Sequence, residues 1–200
     1  MKKGRMATLC IAVINILAFV ANLIIGGGSF FGLFISGGGY LKEYGEASFA
    51  LIAEQGQWWR LLTCGYLHMG IIHLAGNVVA LMIVGSKMEE KTGKIKLLLL
   101  YNLGTMLTAF LWSLIFKNGT MVGASLGIFV LLGMAYVWFL KGQGKQRVCF
   151  TVAEKRYLLI YGIVGCFLGI GTIIVHAIGF IIGVSAGFVM LKMNSRRMTE

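Results

Sequence analysis

Apolar residues in this chain come in six runs separated by short polar stretches, roughly 6–25, 61–85, 95–116, 125–140, 157–168 and 173–192. An α-helix needs about 20 residues to cross a hydrocarbon core, and most of these runs approach that length. The fourth and fifth are short and are expected to extend into their flanks. Residues 26–60 form a long first loop that opens with GGGSFFGLFISGGG and closes on Trp58, Trp59 and Arg60. Paired tryptophans favour the headgroup level, so this loop is expected to lie in the membrane interface. The pattern predicts one all-α membrane domain over 1–200: a six-helix transmembrane bundle with an interfacial first loop.

Composition narrows the class. The chain is 58% hydrophobic and 12% charged, which argues against a soluble domain. Its 29 glycines and lack of proline suit close helix–helix contacts in lipid. A net charge of +11 invites a nucleic-acid partner, but the basic residues sit in short clusters between the apolar runs. They set orientation instead. Lys2, Lys3 and Arg5, then Lys87, Lys91, Lys94 and Lys96, then Lys141, Lys145, Arg147, Lys155 and Arg156, and finally Lys192, Arg196 and Arg197 collect on one side. Only Lys42, Arg60 and Lys117 fall on the other. Both termini are therefore expected in the cytoplasm of a cell-membrane protein, with the second, fourth and sixth spans running from outside to inside. The first run is long and no small-x-small site closes it, so it reads as a retained span rather than a cleaved leader. Cys10, Cys64, Cys149 and Cys166 form no CxxC pair, and neither a metal site nor a disulfide framework is expected.

That orientation brings four polar residues to a similar depth. Ser125 opens the fourth run, His176 lies near the outer end of the sixth, and His73 and Asn77 occupy the outer half of the second. Taken singly, each reads as a packing residue; polar groups gathered inside a membrane mark function. The chain has no Asp, and Glu43, Glu46, Glu54, Glu89, Glu90, Glu154 and Glu200 lie in loops or at ends. A Ser-His-Asp triad and an aspartyl pair are thus excluded, and no HExxH motif supports zinc hydrolysis. What remains is a dyad in which His176 takes the Ser125 proton on attack and returns it to the leaving amine. His73 and Asn77, four apart, share a helix face and are expected to donate to the developing oxyanion together with the Ser125 backbone N–H. Gly123 and Gly127 flank Ser125 with small-xxx-small spacing on one helix face, and Gly179, Gly183 and Gly187 form a stripe on the sixth span. These are expected to draw the two helices together. Phe129, four after Ser125, is expected to pack on the His176 ring. Hydrolysis needs water, so a polar cavity open to the outside must exist.

In order, the chain carries WWRLLTCGYLHMGIIHLAGNVVAL, MEEKTG, GASLGIF and HAIGFIIG. These segments resemble the rhomboid family of intramembrane serine proteases over the second to sixth spans and the end of the first loop. The matching positions are Trp59–Arg60 before the second span, His68, His73 and Asn77 as H-x4-H-x3-N, and Glu89 and Gly93 as the Glu-x3-Gly turn. Gly123, Ala124 and Ser125 match the nucleophile motif, and His176, Gly179 and Gly183 match H-x2-G-x3-G. The resemblance implies a bundle of rhomboid type and an endopeptidase without cofactor or metal. It also implies single-span membrane proteins as substrates, cut near their outer ends. Leu126 departs from the pattern, since the family usually has Gly after the nucleophile. Its side chain either occupies the contact between the fourth and sixth spans or turns toward the second span or lipid. His68, about 140° from His73 on an unbroken helix, reads as structural or as holding water near the site. Two other classes compete: a catalytically impaired rhomboid-like protein that binds transmembrane clients, and a small transporter, which the lack of internal repeats disfavours.

Overall fold

The computed structural model describes residues 5–25, 40–167 and 169–196. Its longer helices are α1 (Met6–Ile25), α4 (Ile71–Thr92), α5 (Lys94–Ile115), α6 (Ser125–Lys141), α7 (Val152–Cys166) and α8 (Ile170–Arg196), with short helices α2 (Tyr40–Gly45) and α3 (Arg60–Thr63) between α1 and α4. Helices α1, α4, α5 and α8 are long and apolar enough to cross a membrane, and α6 is a shorter apolar helix. Large apolar side chains face outward along the bundle, among them Ile24, Ile72, Ile95 and Phe167. That is the surface of a protein solvated by lipid rather than water.

Helix α6 sits at the centre. Its sequence SLGIFVLLGMAYVWFLK is apolar on every face, and a helix of that kind is stable only when surrounded. Leu126, Ile128, Leu131 and Met134 are fully buried. The contact with α8 is made backbone to backbone. A Cβ on Gly183 would overlap the Val130 carbonyl, one on Gly133 would overlap the Phe180 carbonyl, and one on Gly179 would lie 3.0 Å from the Leu126 oxygen. Towards the C-terminal end of α6, Trp138 Nε1 adds a bond between the two helices, donating to Gly187 O at 3.1 Å.

The second apolar run is not one helix. It opens as α3, passes through a 3-10 turn at Cys64–Tyr66 and becomes helical again only at Ile71, so the expected start at residue 61 is corrected. Gly65 and Gly70 weaken helix propagation there, and tertiary partners take over the freed carbonyls. Tyr101 Oη donates to Gly65 O at 3.1 Å, and Gly123 N donates to Cys64 O at 2.8 Å. At the other end the run continues past residue 85 to Thr92, and Glu89, near that end, is held by the start of α1. Its carboxylate accepts from Ala7 N, Thr8 N and Thr8 Oγ1 at 3.1, 2.9 and 2.8 Å, satisfying first-turn donors of α1. Gly93, at φ 83°, then turns the chain directly into α5.

The fifth run begins earlier than residue 157. Thr151 and Glu154 form a reciprocal capping box that starts α7 at Val152. Of the first loop, residues 26–39 lie outside the described residues. Its remainder folds against the bundle: Ala47–Ser48 pairs antiparallel with Thr120–Met121, a small strand ladder absent from the all-α expectation. Arg60 holds this segment from beneath, donating through Nη1 to Glu43 O and Glu46 O at 2.8 and 3.0 Å and through Nε to Gln57 Oε1 at 2.7 Å.

Candidate active site

Ser125 is the first residue of α6, so its backbone N–H is one of the four at that end with no intrahelical acceptor. The preceding turn depends on Gly123, whose φ of 141° is open to few other residues. Space makes the same demand. A Cβ at Gly123 would lie 2.8 Å from His73 Cε1, 3.0 Å from His73 Nε2 and 3.5 Å from Ser125 Oγ. Gly123 therefore lies outside the helix and seats His73 beside the serine, instead of sharing a helix face with Gly127. Gly127 faces α5, where an added Cβ would meet Tyr101 and Thr105. Of the expected glycine contacts, those of α8 bring α8 against α6.

His73 lies in the first turn of α4 and Asn77 one turn further on. Asn77 Nδ2 donates to His73 O at 3.0 Å, and Tyr161 Oη of α7 donates to Asn77 Oδ1 at 2.6 Å. His176, on α8, stacks on Phe129 of α6 with ring centroids 3.9 Å apart and planes 7° apart. From the other side α7 brings Gly165 so close that a Cβ there would be 2.7 Å from His176 Cε1. The start of α8 is tied to α5 by Trp112 Nε1, which donates to Gly171 O at 2.9 Å. These contacts supply the support for His176 that its short preceding loop does not explain.

Ser125, His73, Asn77 and His176 all line one cavity of about 630 Å³, shared with Tyr157, Tyr161 and Trp112. Among the described residues no hydrogen bond joins Ser125 to His176, and the Nδ1 atoms of His73 and His176 have no partner. Leu126 is fully buried in a cluster with Trp112, Met121 and Val175. Its side chain thus points neither to lipid nor across to α4; it fills the core between α5 and α8 and touches the cavity wall.

His68 falls in the break before α4, so the helical angle expected between it and His73 does not apply. Its ring meets the His73 ring edge-on at 5.1 Å, and both its nitrogens are buried without a partner. Sequence reasoning misses Tyr161 and Gly165. The available signal is Tyr157 and Tyr161, one turn apart on a short span otherwise poor in polar groups.

A bundle of lipid-facing helices around a mostly apolar cavity that holds Ser125, His73, His176 and Asn77 defines an integral membrane protein. Residues 55–193 match the Rhomboid domain family, and the chain belongs to the rhomboid family. It is 30% identical to RHOMBOID-like protein 7 of Arabidopsis thaliana over 159 residues, 76% of this chain and 49% of that protein. It is 44% identical to Rhomboid protease GluP of Bacillus subtilis (strain 168) over 108 residues, 52% of this chain and 21% of that one. A match of 28% over 126 residues, 60% of this chain and 36% of the relative, links it to Inactive RHOMBOID-like protein 8 of Arabidopsis thaliana. The chain spans about half or less of the length of these relatives. These relatives thus include one named as a protease and one named as inactive.

Proposed function

We propose that this chain is an intramembrane serine endopeptidase that hydrolyses peptide bonds in or near single transmembrane segments. The observation that carries the reading is the one cavity shared by Ser125, His176, His73 and Asn77, residues from α6, α8 and α4. His176 accepts the Ser125 Oγ proton as that oxygen attacks the substrate carbonyl, then delivers it to the departing amine nitrogen as the C–N bond breaks. Water enters, His176 takes its proton as the oxygen attacks the acyl carbon, and returns it to Ser125 Oγ as the acyl–serine C–O bond breaks. The tetrahedral oxyanion is met by the Ser125 N–H, the Asn77 amide and the His73 imidazole. Phe129 holds the His176 ring in plane through its stacking contact.

The topology belongs to the same proposal. Helices α1, α4, α5, α6, α7 and α8 are taken as six spans, with both termini in the cytoplasm of the cell membrane and the cavity opening to the outer side. The clustering of basic residues supports this orientation. At about 1.5 Å per residue, α6 and α7 reach only about 25 and 22 Å, short of the roughly 30 Å core, so the bilayer is thinned or wetted beside the site. Substrate helices are expected to approach where α7 meets α4. No cofactor or metal is required by this chemistry.

A second reading, a catalytically impaired protein that binds transmembrane clients, is favoured by Leu126 and by the absence of a Ser125–His176 hydrogen bond. Incubating detergent-solubilised protein with a single-span substrate distinguishes the two. Cleavage that is lost in both Ser125→Ala and His176→Ala supports the protease. Substrate binding without cleavage in the unaltered protein supports the client binder.

A further inference from the structure

Asn77 holds more of the site's geometry than its own helix supplies. A backbone carbonyl can only accept, so the His73 oxygen at 3.0 Å must face the amide nitrogen of Asn77. The amide oxygen then lies on the opposite edge, and there Tyr161 Oη donates to it at 2.6 Å. The His73 carbonyl thus fixes which atom is which, and with it the direction of the Tyr161 bond. Among the described residues only one of the two Nδ2 hydrogens has a protein acceptor, and Asn77 lines the cavity wall. A side chain bonded only to the carbonyl one turn back is a loose tether. The second anchor, from α7, converts it into a fixed donor.

The same tyrosine reaches the other half of the site. Its ring stacks on Phe129 with centroids 5.8 Å apart and planes 26° apart, and Phe129 in turn stacks on His176. We propose that Tyr161 is a positioning residue for acyl transfer: its hydroxyl holds the Asn77 amide nitrogen toward the cavity, and its ring, through Phe129, backs the His176 imidazole. The inference rests on the protease reading for its kinetic consequence, but its structural core concerns the Asn77 amide alone. It also makes the site conditional on α7, because a swing of α7 away from α4 withdraws the hydroxyl from Asn77.

Tyr161→Phe separates the two contributions, since phenylalanine keeps the ring stack and removes only the donor. The full chain in detergent micelles, carrying Tyr161→Phe, Asn77→Ala or both, is treated with a fluorophosphonate probe, and the rate of Ser125 labelling is measured. In parallel the Asn77 side-chain amide is followed by ¹⁵N–¹H NMR, assigned by its loss in Asn77→Ala. Tyr161→Phe is expected to slow labelling by about 10- to 100-fold, as for a displaced oxyanion donor. The double variant should be no slower than Asn77→Ala, because orienting an absent amide changes nothing. The amide should give one exchange-protected pair of signals in the unaltered protein and an averaged, fast-exchanging pair in Tyr161→Phe. Labelling losses that multiply in the double variant, or an amide equally ordered without the hydroxyl, overturn the inference. Faster labelling in Tyr161→Phe also overturns it and makes the residue only a latch for α7. If the unaltered protein never labels, the protease reading fails, while the amide signals still decide whether Tyr161 positions Asn77.

Discussion

Replacing Gly183 by Ala places one methyl group between the two helices that carry Ser125 and His176. In an ordinary helix interior the change is favourable by about 1 kcal/mol, because glycine gives up more backbone freedom on folding. Here the new Cβ would overlap the Val130 carbonyl oxygen, with the carbonyl carbon 2.7 Å away and Met134 N at 3.0 Å. A flexible side chain could turn aside; a carbonyl inside the hydrogen-bonded ladder of α6 cannot. Helices α6 and α8 must separate, and overpacking of this kind costs about 1–3 kcal/mol, enough to cancel or exceed the propensity gain. The displacement is carried to the site, and about 1 Å of misplacement between reacting groups costs about 100-fold in rate. The assay is the rate of Ser125 labelling by a fluorophosphonate in detergent, beside the melting temperature. Gly162→Ala on α7 serves as the control, since its new methyl group would have nothing within 4 Å. Gly183→Ala should label about 100-fold more slowly and melt no higher than the unaltered protein. Labelling at the unaltered rate together with a raised melting temperature refutes the reasoning.

Other expectations follow from named contacts. Glu89→Ala leaves three first-turn donors of α1 without their acceptor, so at about 1.5–3 kcal/mol per charged hydrogen bond the melting temperature should fall by several degrees. Leu126→Ala should destabilise by about 2–5 kcal/mol as a buried cavity, and faster labelling in that variant despite the loss would show that Leu126 narrows the pocket. Thr151→Ala removes half of the capping box, costs about 1 kcal/mol and should speed amide exchange in the first turn of α7 without touching the site. Arg60→Lys cannot reproduce the fork in which Nη1 holds Glu43 O and Glu46 O while Nε holds Gln57 Oε1, so exchange protection in the first-loop segment around residues 43–48 should drop.

What was legible in the chain was what local chemistry dictates. Runs of apolar side chains must be helical in lipid because no other open structure satisfies its own backbone there, which is why α1, α5 and α6 fall within a residue of where the pattern puts them. The glycines of α8 announced a close helix contact, since absent side chains serve little other purpose at that spacing. Local rules failed where a tertiary partner replaced a helical bond. Nothing near residues 64–70 reveals that Tyr101 and Gly123 will take the carbonyls there, so the break before α4, and with it the place of His68 beside His73, could be seen only in the folded bundle. Gly127 likewise has a helix partner that spacing could not choose, α5 rather than α8. Tyr161 is the clearest case. A tyrosine on a short span is an ordinary residue until another helix places Asn77 within reach of its hydroxyl, because hydrogen bonds depend on distances between segments that the order of residues does not contain.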